Sequence, residues 1–221
     1  MTTPRPPRIK ICGLTGIDDA QRAVEAGAWA LGLILFSGSP RRCPLPAAER
    51  ISGALRRQAE ICGVFVNTPL DEVTGVADGL GLTMIQLHGD EGPSFCAEVA
   101  RRTGAKVMKA ARLRTGADVL ALERFHTDLH LLDAHQPGRY GGTGETFDWE
   151  LVHQRRTDIP LVLSGGLTPD NVADAIEATH PYAVDTASGT EARPGVKDPE
   201  RLRAFAAAVA ATAPELAQDR A

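Results

Sequence analysis

The stretch PLVLSGGLTPDNVADAIEATHPYAVDTAS, residues 160–188, contains two apolar runs and a helical segment whose order predicts the architecture. Two short apolar runs, 160–166 and 182–188, flank an amphipathic segment that opens at Thr168-Pro169. The runs are continuous rather than alternating, which is typical of parallel strands covered by helices. Proline is favoured at a helix start, because the first turn needs no N–H from it. The stretch therefore predicts a strand, a helix and a second strand parallel to the first.

The same unit recurs along the whole chain. Eight apolar runs predict strands at 8–14, 29–35, 61–67, 83–89, 105–111, 130–134, 160–166 and 182–188. Helix start signals stand at Asp18-Asp19, Pro46, Pro93, Thr168-Pro169 and Asp198-Pro199, and 148–156 is a weaker helix candidate. Eight strand–helix units without a linker predict an α/β fold, a (β/α)8 TIM barrel, as one domain over 8–215. A doubly wound open sheet is the alternative, because strand order is not visible in a sequence.

Composition excludes several classes of protein. The chain has 221 residues, of which 43% are hydrophobic and 24% charged, as in ordinary soluble domains. The net charge is −4, and Lys and Arg are scattered, so we expect no nucleic-acid partner. The N-terminus MTTPRPPR lacks the apolar core of a signal peptide, and no apolar run approaches a membrane span. We expect residues 1–7 to form a flexible tail and no membrane to be a partner.

The four cysteines lie far apart, at Cys12, Cys43, Cys62 and Cys96. They form no CxxC pair and no Cys/His cluster with metal-ligand spacing, so we expect no metal. The chain also lacks an organic-cofactor motif. Free thiols persist in reducing compartments, which favours a cytoplasmic setting.

Polar residues follow the predicted strands where each strand ends. The strand ends carry Cys12-Gly13, Gln86 with His88, Asp133, Ser164-Gly165-Gly166, and Asp185 with Ser188-Gly189. In a parallel barrel these ends converge on one mouth, where the loops that follow the strands meet. This placement indicates a functional site rather than a core.

The last two strand ends share small residues, in SGG (164–166) and ASG (187–189). Small residues let backbone N–H groups approach an anion, and barrels frequently bind phosphate at the loops after strands seven and eight. The pattern favours a phosphorylated sugar or a similar ligand over the alternative of two tight turns. The segment 137–149 matches no nucleotide motif, and is read as a mobile loop over the site or as a plain surface loop.

The sequence allows two interpretations of Cys12, one structural and one catalytic. Free Cys often serves as a small buried hydrophobe without reactivity. At the end of strand one, however, its thiol would face Asp133, at the end of strand six, across a bound ligand. One group could take a proton and the other give one, provided that their pKa values are tuned apart.

Eight motifs in order resemble one family across residues 8 to about 210. They are KICGLT (10–15), FSGSPR (36–41), GVFVN (63–67), QLHGDE (86–91), LLDA (131–134), GGTGETFDW (141–149), LSGGLTPDNV (163–172) and VDTASGTEARPGVKD (184–198). The chain resembles the phosphoribosylanthranilate isomerase family, (β/α)8 enzymes of tryptophan biosynthesis. The resemblance implies an Amadori rearrangement of N-(5-phosphoribosyl)anthranilate to 1-(2-carboxyphenylamino)-1-deoxyribulose 5-phosphate by general acid–base catalysis.

The resemblance also implies roles for the two proton carriers. Asp133 stands at the position of the general acid that protonates the ribose ring oxygen. Cys12 stands at the position of the general base that removes the C2′ proton from the Schiff base. We expect the Cys12 thiol to have a lowered pKa or to pass its proton to Asp133.

Other matched positions imply substrate contacts. Arg41 would pair with the anthranilate carboxylate, because a guanidinium group can donate two parallel hydrogen bonds to a carboxylate. The remaining implied contacts are phosphate binding by the backbone of Gly165, Gly166, Ser188 and Gly189, with His88 and Asp185 as pocket residues. The sequence departs from the family at Ser37-Gly38, where Pro-Lys is usual, and at Thr186-Ala187 in place of Val-Ser. The first departure removes a cation near the anionic substrate.

Two other functions stay open at this point. A related phosphosugar isomerase would use a pair of aspartates, which the thiol of Cys12 argues against. A phosphate-binding or interaction module without catalytic activity is the second alternative, but it would not explain why Cys12 and Asp133 face each other. No apolar patch is evident on the predicted outer helix faces, so we expect a monomer.

Overall fold

Eight parallel strands close into a barrel in the computed structural model, which describes residues 6–112, 115–133 and 149–213. The strands are β1 Arg8–Cys12, β2 Ala30–Ile34, β3 Glu60–Phe65, β4 Met84–Leu87, β5 Lys106–Arg112, β6 Leu129–Asp133, β7 Leu161–Ser164 and β8 Ala183–Thr186. Each strand pairs with its neighbour in sequence, and β1 also pairs with β8. The closing pair confirms the barrel and rules out the open sheet.

Helices cover the outside of the barrel. They are α1 Ile17–Glu25, α2 Leu45–Leu55, α3 Leu70–Leu80, α4 Pro93–Thr103, α5 Gly116–Ala121, α6 Val172–Thr179 and α7 Pro199–Ala211. The helices predicted from Asp18, Pro46, Pro93, Thr168 and Asp198 are confirmed as α1, α2, α4, α6 and α7, whereas α3 and α5 were not predicted. The weaker candidate at 148–156 is a 3₁₀ helix, Trp149–Gln154.

The start of α6 lies further along the chain than predicted. The side-chain oxygen of Asn171 accepts a hydrogen bond from the Thr168 N–H at 2.8 Å, and its amide nitrogen donates to the Gly166 carbonyl at 3.1 Å. This Asn-stabilised turn delays the helix to Val172. By contrast α7 begins as predicted, because the Asp198 carboxylate accepts from the first N–H groups of the helix.

A short hairpin follows β8 and was not predicted. Its strands are β9 Glu191–Arg193 and β10 Val196–Lys197, and they are antiparallel. The Lys197 N–H donates to the Asp19 carboxylate at 2.8 Å. The Thr15 hydroxyl donates to the Gly195 carbonyl at 2.6 Å, so the hairpin is tied to the loop after β1.

Alternate residues of each strand face the barrel interior or the helices. On β1, Ile9 and Ile11 belong to the core between strands and helices, whereas Cys12 belongs to the core inside the barrel. Since side chains alternate along a strand, Lys10 faces inward with Cys12. The inward residue at the end of each strand therefore lies at the mouth, which fixes the place of the site.

Some predictions lie outside the described residues. The tail at 1–7 falls mostly on residues 1–5, and the loop at 137–149 falls mostly on 134–148, so both stay predictions. Within the described ranges, no helix is long and apolar enough to cross a membrane.

Candidate active site

The barrel mouth brings together the side chains that the sequence placed at strand ends. Cys12 lies at the end of β1, Asp133 at the end of β6 and Ser164 at the end of β7. His88 follows β4 and reaches Asp133, with 3.4 Å between its Nε2 and the carboxylate Oδ2. Two of the predicted site residues are thus in direct contact across β5.

The Cys12 side chain occupies a space that Gly32 leaves open. Cys12 is 6% exposed and packs among the apolar side chains of the barrel interior. Gly32 lies beside it on β2, and a Cβ added there would stand 2.7 Å from the Cys12 sulfur. The thiol position therefore depends on a glycine in the neighbouring strand.

Burial raises the pKa of the Cys12 thiol above its ordinary value. The charges of Lys10 and Lys197 oppose the increase, and Lys10 also hydrogen-bonds to the thiol, whereas the Asp185 carboxylate adds to the increase. The sequence led us to expect either a lowered pKa or proton transfer to Asp133. The first expectation is wrong, because the cost of burying a thiolate exceeds the help from the two ammonium groups.

Lys10 is fully buried and forms an ion pair with Asp185, with 2.7 Å between Nζ and Oδ1. Burial alone would lower the pKa of Lys10, but Asp185 raises it above the ordinary value, so the ammonium stays charged. The other carboxylate oxygen of Asp185 accepts from the Ser164 hydroxyl at 3.0 Å. Asp185, predicted as a pocket residue, is thus 5% exposed and holds Lys10 in place.

Lys197 brings a second buried ammonium group to the mouth from β10. Its Nζ donates to the Ala187 carbonyl at 2.8 Å and lies 3.5 Å from Glu191. Burial lowers its pKa, while the charges of Glu191 and Cys12 act in the opposite direction. Sequence reasoning missed both lysines, although the spacing of Lys10 and Cys12 puts them on one strand face.

Arg41 forms a bidentate ion pair with the buried Glu191. Its Nε donates to both carboxylate oxygens at 2.9 and 3.0 Å, and its Nη2 donates to one of them at 2.8 Å. The loop that carries Arg41 is fixed to β2, because the Cys43 N–H donates to the Ile34 carbonyl at 2.7 Å. The guanidinium is therefore held rigidly at the mouth, where the sequence predicted a carboxylate-binding arginine.

The loops after β7 and β8 form a cradle of backbone groups. Gly165 and Gly166 have φ values of +101° and +69°, which a side chain would strain. Their N–H groups are not hydrogen-bonded to another described residue. The Thr186 hydroxyl donates to the Leu167 carbonyl at 2.8 Å and joins the two loops. Ser188 and Gly189 lie in the 3₁₀ helix of the second loop, with Ser188 exposed.

Three cations lie close to Cys12 at the mouth. Lys10, Arg41 and Lys197 are held there by the carboxylates of Asp185 and Glu191, and Asp133 is a third carboxylate across the mouth. Such a site suits an anionic ligand and a thiolate. Among the residues that the structure describes, no group of three or more His, Cys, Asp or Glu side chains could hold a metal ion.

Comparisons with known proteins agree on one family. The family model described as N-(5'phosphoribosyl)anthranilate (PRA) isomerase matches residues 9–208. The N-(5'-phosphoribosyl)anthranilate isomerase of Citrifermentans bemidjiense is 47% identical over 196 residues, which cover 89% of this chain and 93% of the relative.

Solved structures give the same result. The phosphoribosyl anthranilate isomerase of Thermotoga maritima has a TM-score of 0.82 and 40% identity, covering 92% of this chain and 98% of its own. A phosphoribosyl anthranilate isomerase in complex with reduced 1-(o-carboxyphenylamino)-1-deoxyribulose 5-phosphate has a TM-score of 0.79 and 37% identity, with the same coverage.

Proposed function

This chain belongs to the N-(5'-phosphoribosyl)anthranilate isomerase family, and we propose that Cys12 and Asp133 act as the base and the acid of its reaction. The protein is an isomerase of tryptophan biosynthesis and converts N-(5'-phosphoribosyl)anthranilate to the 1-deoxyribulose phosphate. The observation that supports the two roles is the buried Cys12 thiol beside two buried ammonium groups, at the mouth that also holds Asp133.

The reaction moves protons at four atoms of the substrate. Asp133 gives its proton to the ribose ring oxygen as the bond from that oxygen to C1′ breaks, which leaves a Schiff base. The Cys12 thiolate then removes the C2′ proton, and the electron pair moves to give an enolamine. Tautomerisation places a proton on C1′ and releases the one on the C2′ hydroxyl, which yields the ketone. No redox partner is required, because the oxidation at C2′ balances the reduction at C1′.

The thiolate can form without exchange of a proton with water. A thiol on Cys12 and a carboxylate on Asp133 carry the same number of protons as a thiolate and a carboxylic acid. Lys10 and Lys197 stabilise the thiolate, and a bound ligand removes water from Asp133, which favours its protonated form. Substrate binding thereby assembles the reactive pair.

The two charged ends of the substrate would bind to two different parts of the mouth. The backbone of Gly165, Gly166, Ser188 and Gly189 suits the phosphate, because N–H groups and small residues allow close approach. Arg41 suits the anthranilate carboxylate. His88 lies at Asp133, and Asp185 acts through Lys10 rather than on the ligand.

The test is turnover of N-(5'-phosphoribosyl)anthranilate by the parent protein and by two variants. Cys12→Ala and Asp133→Asn should each lower kcat by about 100-fold or more and leave KM within a few fold, because each removes one proton carrier. Cys96→Ala is the matched control, since Cys96 is a buried thiol on the outer face of the barrel. Parent-like kcat in Cys12→Ala would contradict the assignment of the base.

The domain organisation, oligomeric state and cellular compartment of the protein are also matters on which we make proposals. We propose one catalytic domain over residues 8–215, which works as a monomer in the cytoplasm. The four free thiols support a reducing compartment. The dimeric phosphoribosylanthranilate isomerase of Thermotoga maritima has been solved as monomers generated from it, so sedimentation of the purified protein would decide the state of this chain.

A further inference from the structure

Gln86 places a polar side chain inside the barrel, where its neighbours are apolar. It is 1% exposed and lies on β4, with its side chain on the same face as Met84. Its amide Nε2 lies 2.8 Å from His88 Nδ1. Its Oε1 is buried and has no hydrogen-bond partner among the described residues.

A buried amide oxygen without a partner destabilises the folded protein. A methionine at position 86 would fill nearly the same volume without that cost, as Met84 and Met108 do in the same interior. The contact with His88 is therefore the feature that distinguishes glutamine from methionine at this position. Gln86 is better explained by what it does to His88 than by packing.

The orientation of the Gln86 amide indicates which ring nitrogen of His88 carries the proton. With the amide nitrogen placed against Nδ1, Nδ1 accepts, and the proton of the neutral ring lies on Nε2. Nε2 faces the Asp133 carboxylate at 3.4 Å. Gln86 on β4 thus contacts His88 in the following loop, and His88 in turn faces Asp133 on β6.

We propose that Gln86 holds His88 with its proton on Nε2, so that His88 donates to the Asp133 carboxylate formed when Asp133 protonates the substrate. This role rests on the proposed function of Asp133 as the acid. A donor aimed at the developing carboxylate stabilises it more than the neutral acid, so it promotes proton release. Gln86 and His88 are positioning residues, because they act through Asp133.

The tautomer can be observed directly by correlating ring protons and nitrogens of ¹⁵N-labelled histidines by NMR, in alkaline buffer where imidazole is neutral. His130 is an internal reference, because its Nε2 lies 2.8 Å from the Phe125 carbonyl, which can only accept. We expect His88 to match His130 in the parent protein and to gain the Nδ1–H form in Gln86→Met. His88 with its proton on Nδ1 in the parent, or an unchanged tautomer in Gln86→Met, would overturn the inference.

Steady-state kinetics of Gln86 and His88 variants test the same inference independently. Gln86→Met and His88→Asn should each lower kcat about tenfold with KM within about twofold, and the double variant should be no worse than His88→Asn alone. Gln86→Met should fold at least as stably as the parent, since it removes the orphaned oxygen. Met84→Leu, on the same face of β4, is the control and should leave kcat unchanged.

Asp133→Asn separates this inference from the function on which it rests. If Asp133→Asn is inactive while Gln86→Met and His88→Asn turn over like the parent, the positioning role is wrong and the acid stands. If Asp133→Asn itself turns over like the parent, both are wrong.

Discussion

At the scale of single residues, the Cys12 thiol depends on the missing side chain of Gly32. Gly32→Ala would place a Cβ 2.7 Å from the Cys12 sulfur and 2.9 Å from the Cys12 Cα. We expect a loss of about 1–3 kcal/mol in the free energy of unfolding, as in overpacked cores, and a fall in kcat as the thiol moves. Chemical denaturation and turnover measure the two effects.

Gly53→Ala is the control for this substitution. Gly53 lies within α2, and a Cβ there would meet nothing within 4 Å. Alanine is a better helix former, so the variant should gain about 0.5–1 kcal/mol of stability and keep its kcat. Equal stability and kcat in Gly32→Ala and the parent would show that the neighbouring strand does not constrain Cys12.

Cys12 and Asp133 also predict a particular pH profile. The reactive form of the pair is the Cys12 thiolate with the Asp133 carboxylic acid, and the other form is the thiol with the carboxylate. Each form carries one proton, so the ratio of the two forms does not change with pH. Activity should fall at high pH only when this proton is lost from the thiol. Because burial raises the pKa of Cys12, kcat/KM should hold through the ordinary thiol value of 9.0 and fall above it.

Lys197→Met tests the electrostatic part of this prediction. Removal of the cation raises the pKa of Cys12 further, so the alkaline fall in kcat/KM should move to higher pH. The thiolate form becomes rarer at the same time, and the plateau should drop by about tenfold for each unit of pKa. A fall that begins below pH 9.0 in the parent, or moves lower in the variant, would contradict the role of the thiol.

The sequence was informative about Cys12 and Asp133 because a polar residue at the end of an apolar run stands out. It did not predict that Lys10 and Lys197 are buried at the site, because a lysine in a strand pattern is usually expected to be exposed. Burial of Lys10 depends on Asp185, which lies far away in the chain and next to it only after β1 and β8 pair. Long-range pairing of this kind is not encoded in any local pattern.

At the scale of secondary structure, the strands were easier to predict than the helices. Continuous apolar runs mark all eight barrel strands, since both faces of each strand are buried. Gly75 and Gly79 dilute the helical signal of α3, and α5 is too short to show a period. The β9–β10 hairpin is two to three residues per strand, so its tertiary contacts determine it.

That hairpin yields a prediction about substrate binding. Glu191→Gln removes the charge that holds Arg41, so the guanidinium loses its fixed orientation at the mouth. We expect KM to rise about tenfold, because the main loss concerns binding. The value of kcat should also fall, although less, because the Lys197 ammonium group loses the charge of Glu191.

Glu98→Gln on α4 is the matched control. Glu98 also pairs with arginines, Arg101 and Arg102, but on an exposed helix face far from the mouth. Exposed pairs contribute little, so both kinetic constants should stay at parent values. A larger change in kcat than in KM for Glu191→Gln would assign Glu191 to the chemical step instead.

At the scale of the whole molecule, the Lys10–Asp185 ion pair links β1 to β8, the two strands that close the barrel. Lys10→Met would leave the Asp185 charge buried without its cation, and should cost about 3–5 kcal/mol in the free energy of unfolding. The double variant Lys10→Met/Asp185→Leu should recover most of that loss, because it buries no charge.

Activity should not recover with stability in the double variant, since the Cys12 thiolate has lost the ammonium group beside it. Denaturation curves and turnover of both variants measure the two properties. Full activity in the stable double variant would show that the ion pair serves closure of the barrel alone.

The most direct measurement is a crystal structure of this protein with reduced 1-(o-carboxyphenylamino)-1-deoxyribulose 5-phosphate. The ligand phosphate should lie against Gly165, Gly166 and Gly189, and its carboxylate against Arg41. The carbon that corresponds to C2′ should lie within about 3.5 Å of the Cys12 sulfur, with Asp133 on the opposite side of the ligand. A ligand whose reacting carbon is out of reach of Cys12 would contradict the assignment of that thiol as the base.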